Sequence, residues 1–120
     1  MFDHFEIKVV EFDKCLTFYK AALKPLDIEL KWSDPSAAGF GMAHEPNVRF
    51  LIEKSESSTK SHIAFKAKDK TAVAAFYEAG LTASGTCNGE PGLREHFAPN
   101  YYAAFLYDPD GNNVEAVVYL

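Results

Sequence analysis

Apolar and polar residues alternate over a short run, then switch to helical spacing, and the switch happens twice. Phe5, Ile7 and Val9 alternate with His4, Glu6 and Lys8, the period-two pattern of a half-buried strand. Phe12, Cys15/Leu16, Tyr19 and Ala22/Leu23 then recur every three to four residues, which predicts an amphipathic helix. In the second round Ile63, Phe65 and Ala67 alternate with His62, Ala64 and Lys66, and Ala72/Val73, Phe76/Tyr77 and Gly80 follow. Asp69 stands where a helix N-cap belongs, as Glu11 or Asp13 does in the first round. A shift of 58 residues lays His4–Leu23 on His62–Leu81 without a gap. Six of those twenty positions are identical: His4/His62, Lys8/Lys66, Phe18/Phe76, Tyr19/Tyr77, Ala21/Ala79 and Leu23/Leu81. Two copies of one unit are too few for a solenoid.

Three further strands are expected after each helix, at 27–32, 38–43 and 48–54, then at 81–87, 100–107 and 113–119. Asp108-Pro109-Asp110-Gly111 joins the last two as a turn: Pro presets φ, Asp accepts backbone hydrogen bonds, and Gly tolerates positive φ. The polar stretch Lys54–Ser61 reads as the connector. Each copy is therefore β-α-β-β-β, the class is α+β, and one domain (1–120) contains two modules, about 1–58 and 59–120. Asn88–Asn100, with Gly89, Pro91, Gly92 and Pro99, is the one long irregular segment, and such segments are usually functional or mobile.

Strand parity singles out candidate chemistry. If Phe5, Ile7 and Val9 pack on the helices, His4 points to the other face, and His62 does the same opposite Ile63, Phe65 and Ala67. By the same parity Glu53 points away from Phe50 and Ile52, and Glu115 away from Val114 and Ala116. Imidazole and carboxylate are good ligands for divalent transition metals, although parity alone does not bring the four together. A histidine or glutamate on a sheet face is, taken singly, more often solvated than ligating. The equivalence of His4 and His62 in the repeat raises their joint weight.

Composition narrows the class further. Hydrophobic residues are 48% and charged residues 24%, which excludes a disordered chain, a collagen-like repeat and a coiled coil. The net charge of −5, with scattered basic residues, argues against nucleic acid and anionic membrane partners. Cys15 and Cys87 form no metal or redox motif; Cys15 falls on the apolar stripe of its helix. No long apolar run and no basic-then-apolar leader is present at Met1–His4, so a cytoplasmic protein is expected.

Asp3-His4-Phe5 with Phe18-Tyr19 and Leu23, Ser61-His62-Ile63, and above all Ala104–Glu115 (AFLYDPDGNNVE) resemble the glyoxalase/bleomycin-resistance/extradiol dioxygenase superfamily, the vicinal oxygen chelate fold. Gly92-Leu93-Arg94 through Tyr101–Phe105 is similar to a glyoxalase-like subgroup of unassigned activity. The resemblance covers essentially the whole chain. It implies two βαβββ modules whose mixed sheets wrap into a cup. It further implies metal ligands at His4, His62 and Glu115, with Glu53 as the fourth ligand of a glyoxalase I arrangement.

Under that resemblance the expected cofactor is a divalent transition metal (Zn, Ni, Mn, Co or Fe), and Glu53 or Glu115 moves a proton between adjacent carbons. The main expectation is a metal-dependent glyoxalase-like lyase or isomerase acting on a small molecule with vicinal oxygens. The alternatives are a metal-free small-molecule binding protein of the bleomycin-resistance kind and an extradiol-type dioxygenase. Expected substrate contacts are Arg94, His96, Tyr101 and Phe105, with an exposed loop histidine the competing reading of His96. One of Tyr101 and Tyr102 should face the cup and the other the core. His44 is expected in solvent, Trp32 in the cup or at a contact between chains. A homodimer is expected, because a small open cup leaves edges that a second chain can cover.

Overall fold

A computed structural model describes all of residues 1–120. The first module runs β1 (Phe5–Val9), α1 (Phe12–Leu23), a single 3-10 turn (Lys24–Leu26), β2 (Ile28–Asp34), β3 (Ala37–Met42) and β4 (Phe50–Lys54). The second runs β5 (His62–Lys66), α2 (Lys70–Thr82), β6 (Thr86–Leu93), β7 (Tyr101–Tyr107) and β8 (Asn113–Tyr119). The repeat read from the sequence is a repeat of topology. The strand orders are β1-β4-β3-β2 and β5-β8-β7-β6, and in each module the first strand pairs parallel to the last while the other pairs are antiparallel. Two open mixed sheets of βαβββ modules, neither closed into a barrel, agree with the expected fold. No helix is long and apolar enough to cross a membrane.

Parity places the core. Ile7, Val9, Phe50 and Ile52 are buried on the helix side of the first sheet, and Val114 and Ala116 on that of the second. Helix α1 packs on β2 and β4, α2 on β6, β7 and β8, and the two helices pack on each other. Gly80 makes that packing possible. A Cβ there would lie 2.3 Å from Leu106 Cδ1 and 3.1 Å from Phe18 Cε1, so helix α2 approaches β7 and α1 where a side chain would not fit. Each sheet lays one face on its own helix and turns the other outward.

The two helices begin differently, and the first departs from expectation. Asp69 caps α2 by accepting from the Ala72 N–H at 2.8 Å. Glu11 occupies the N-cap position of α1, one of the two expected places, but its side chain makes no cap bond. The acceptor comes from the other module: the Asp110 carboxylate takes the N–H of Glu11 at 2.9 Å and of Val10 at 3.1 and 3.2 Å. The loop 108–112 is thus a dock between modules as well as a turn. Asp108 Oδ1 accepts from the N–H groups of Asp110 and Asn112, and its Oδ2 accepts from Tyr19 Oη of α1 at 2.6 Å. Gly111, at φ 88°, supplies the left-handed residue.

The second departure is β6. It starts five residues later than expected and reaches Leu93, because Leu81 continues the apolar stripe of α2 and Ser84 (φ 74°) reverses the chain after it. Much of the expected irregular segment is therefore strand. Register shifts between Cys87, Gly89 and Gly92 give Pro91 a place where no ladder N–H is required. The true loop is 94–100.

Candidate functional site

The outer face of the second sheet carries a hydrogen-bonded trio. Glu115, in the middle of β8, is 1% exposed although it points away from the helix. Its neighbours in register are Ala64 on β5 and Phe105 on β7. A buried carboxylate is costly unless its oxygens are satisfied. Here both are: His62 Nε2 lies 2.8 Å from Oε1, and Tyr101 Oη donates to Oε2. Because a carboxylate only accepts, Nε2 carries the imidazole proton. The His62 side chain is 56% exposed, so its ring borders solvent. Burial, then the bond to Glu115, raises the Tyr101 hydroxyl above the ordinary tyrosine range, so it stays a neutral donor.

Aromatic rings surround the trio. Phe105 lies 6.4 Å from the His62 ring, and Phe97 contacts Tyr101 edge-on at 5.4 Å and Phe105 at 6.3 Å. The Tyr101 ring also meets Tyr119 edge-on at 5.2 Å. The Arg94 guanidinium sits 5.3 Å over the Phe105 ring and donates through Nη2 to the Glu90 carbonyl at 2.7 Å, which leaves other N–H groups free. His96 is exposed and touches the group only through the Phe97 ring, at 4.3 Å. Tyr102 packs against the core instead, with Lys70 Nζ 5.0 Å over its ring. Phe97 was not singled out by its sequence, for a lone loop phenylalanine carries no pattern.

His4 and Glu53 lie on the first module. His4 just precedes β1 and bonds Asp3 at 2.8 Å, its side chain 59% exposed. Glu53 is next to Glu6, whose carboxyl is raised by the hydrogen bond they share, and 3.7 Å from Lys8 Nζ. His4 and Glu53 therefore do not join His62 and Glu115: no group of three or more His, Cys, Asp or Glu side chains in the chain could hold one metal ion. His44 is exposed in a turn, Cys15 is buried, Cys87 is exposed, and Trp32 covers Gly39 on the first sheet.

The whole chain has counterparts among solved structures. A glyoxalase/bleomycin resistance protein from Albidiferax ferrireducens T118 matches over 98% of each chain, at 30% identity and a TM-score of 0.85. A glyoxalase/bleomycin resistance protein/dioxygenase family enzyme from Burkholderia phytofirmans PsJN matches over 98% of each chain, at 16% identity and a TM-score of 0.74. A lactoylglutathione lyase from Agrobacterium tumefaciens matches over 98% of this chain and 92% of its own, at 17% identity and a TM-score of 0.70. The last two identities speak for the fold alone. No family model and no curated protein matches the chain.

Proposed function

This chain belongs to the glyoxalase/bleomycin-resistance superfamily, and on that premise we propose that it binds a small planar molecule on the outer face of its second sheet without a metal. The observation that carries this reading is the trio itself. His62 commits Nε2 to Glu115, Glu115 commits both oxygens to His62 and Tyr101, and aromatic rings border them. A few convergent polar groups beside apolar rings make up the usual chemistry of a small-molecule site. The free Arg94 N–H groups suit an anionic or carbonyl oxygen, His62 Nδ1 suits a hydroxyl proton, and Phe97 and Phe105 suit a flat ring. Salicylate, a planar aromatic anion with an ortho hydroxyl, is a suitable probe. Titrated into chelator-treated protein, it should shift the amide resonances of Arg94, Tyr101, Phe105 and Glu115, and Arg94→Ala should weaken it about tenfold. An unchanged spectrum at those amides for salicylate and a panel of related aromatic acids would sink the reading.

A second reading, the metal-dependent lyase, has one observation in its favour: β1 and β5 are both edge strands, free to pair with another chain. Two copies so paired could bring His4 and Glu53 of one to His62 and Glu115 of the other, and a homodimer is part of this reading. Elemental analysis after expression with Ni, Zn, Mn, Co or Fe, alongside the mass in solution, tests it. A metal-free monomer that takes up none of these ions excludes it. A dioxygenase would take up oxygen with a catechol and iron.

A further inference from the structure

Between the first sheet and β5 the two modules leave a cleft of about 700 Å³. That is the size of a small-molecule pocket. One wall is the helix-side face of the first sheet with its 3-10 turn: Leu26, Ile28, Phe40, Met42 and Phe50. The other is β5, through Ile63, Phe65 and Ala67. The Phe50 and Phe65 rings meet edge-on at 5.3 Å where the modules touch. Phe5, 42% exposed, also lines it. These rings belong to the core by parity, yet they reach solvent here because β5 is an edge strand with nothing paired beyond it.

The polar lining is mainly cationic. Arg49, Lys66 and Lys68 all line the cleft, against Asp27 as the one acid. Asp27 is 3.6 Å from Lys68, and Arg49 is held by Glu45 at 2.9 Å. Lys66 is exposed and takes part in none of the chain's ion pairs. The edge of β5 adds unpaired backbone groups. The ladder to β8 uses Ser61 and Ala67 at its ends, so by alternation the N–H and C=O of Ala64 and Lys66 point away from β8.

We propose that this cleft binds an elongated apolar carboxylic acid, its hydrocarbon body lying along the touching Phe50 and Phe65 rings and its carboxylate at Lys66. The site is separate from the trio on the second sheet and does not rest on that assignment, although His62 borders both. Charge decides the occupant: an uncharged apolar body would leave Lys66 unused, and a cationic one would meet three like charges. A second copy of the chain is the competing occupant.

Dodecanoate below its micellar concentration is the probe. Titration followed by amide NMR should saturate at one dodecanoate per chain and shift Gly41, Met42 and Ile63–Lys68, with Tyr101–Phe105 unmoved. Dodecan-1-ol should bind more weakly. Lys66→Glu, an exposed change that leaves the core intact, should weaken dodecanoate about fivefold and leave dodecan-1-ol unchanged. The proposal fails if dodecanoate moves none of the cleft amides, or if Lys66→Glu weakens acid and alcohol alike. It also fails if the same amides shift with protein concentration alone, which would place a second copy in the cleft.

Discussion

Asp110→Ala is expected to loosen the dock between the modules, and its cost can be worked from the contacts. The substitution removes the acceptor for the Val10 and Glu11 N–H groups, which open α1 from a position about a hundred residues earlier in the chain. A lost helix cap costs about 0.5–2 kcal/mol. Charge-assisted bonds lie at about 1.5–3 kcal/mol, and the favourable position of a carboxylate at a helix N-terminus adds a few tenths. The N–H groups are only partly buried, so water recovers some of this, and about 2 kcal/mol is expected. With about 2.1 cal/mol/K of unfolding entropy per residue, the melting temperature should drop by about 8 °C. Asp110→Asn keeps one acceptor oxygen and should lose about half as much. The pH dependence separates the charge from the shape. Burial pushes the Asp110 carboxyl up, but the bonds from Ser58, Glu11 and Val10 and the nearby Lys60 outweigh it, and the group is held below the ordinary range. A carboxyl lowered on folding stabilises above its unfolded value, about 3.9, and that stability is lost as pH falls through the native value. The gap in melting temperature between wild type and Asp110→Asn should therefore narrow from pH 7 to pH 3. An Asp110→Ala protein melting within about 1 °C of wild type at pH 7, or an Asn gap that stays constant to pH 3, would refute the reasoning.

Tyr101→Phe keeps the ring against Phe97 and Tyr119 but strips one partner from the buried Glu115; about 1–3 kcal/mol of stability should go, read by urea unfolding. In a double-mutant cycle with Glu115→Gln the two losses should not add, because both act on the Tyr101–Glu115 bond. Gly80→Ala should destabilise by about 1–2 kcal/mol in the same assay, since the clash with fully buried Leu106 outweighs the helix propensity gained. One thiol per native chain, Cys87, should react promptly with a disulfide reagent. Cys15, fully buried and with its thiol pushed up by burial and by Asp108, should react only after guanidinium unfolding.

What the sequence could tell was limited by how local each signal is. The period-two runs at Phe5–Val9 and Ile63–Ala67 and the helical spacing after them placed both modules, because those patterns depend only on which face is buried. The start of β6 was misplaced because Leu81 serves a helix stripe as well as it serves a strand, and only the left-handed Ser84 separates the two. The N-cap position of α1 was legible at Glu11, but its acceptor, Asp110, comes from the other module, beyond any local rule. At the site, parity put His62 and Glu115 on the correct face, but parity carries no information on how two sheets are oriented. Hence it could not show which of His4, Glu53, His62 and Glu115 bond to one another, as His62 and Glu115 do.

The same distinction explains why the most specific stretch of the chain points to a fold more firmly than to a reaction. In Ala104–Glu115 the polar side chains of Asp108, Asp110 and Asn112 are buried and spent inside the protein. Asp108 holds Tyr19 and the turn, Asp110 holds the start of α1, and Asn112 ties Asp108 to the Ser61 N–H ahead of β5. Each bond joins one module to the other or closes the hairpin, and none is open to a ligand. Of the charged residues in the stretch only Glu115 reaches the outer face, where it orients His62. The groups left free to choose a ligand, Arg94 and Phe97, lie in and beside the 94–100 loop. A motif built from docking contacts will accompany any chemistry its loops are given, so under the proposed function the ligand is to be sought at Arg94, Phe97 and His62.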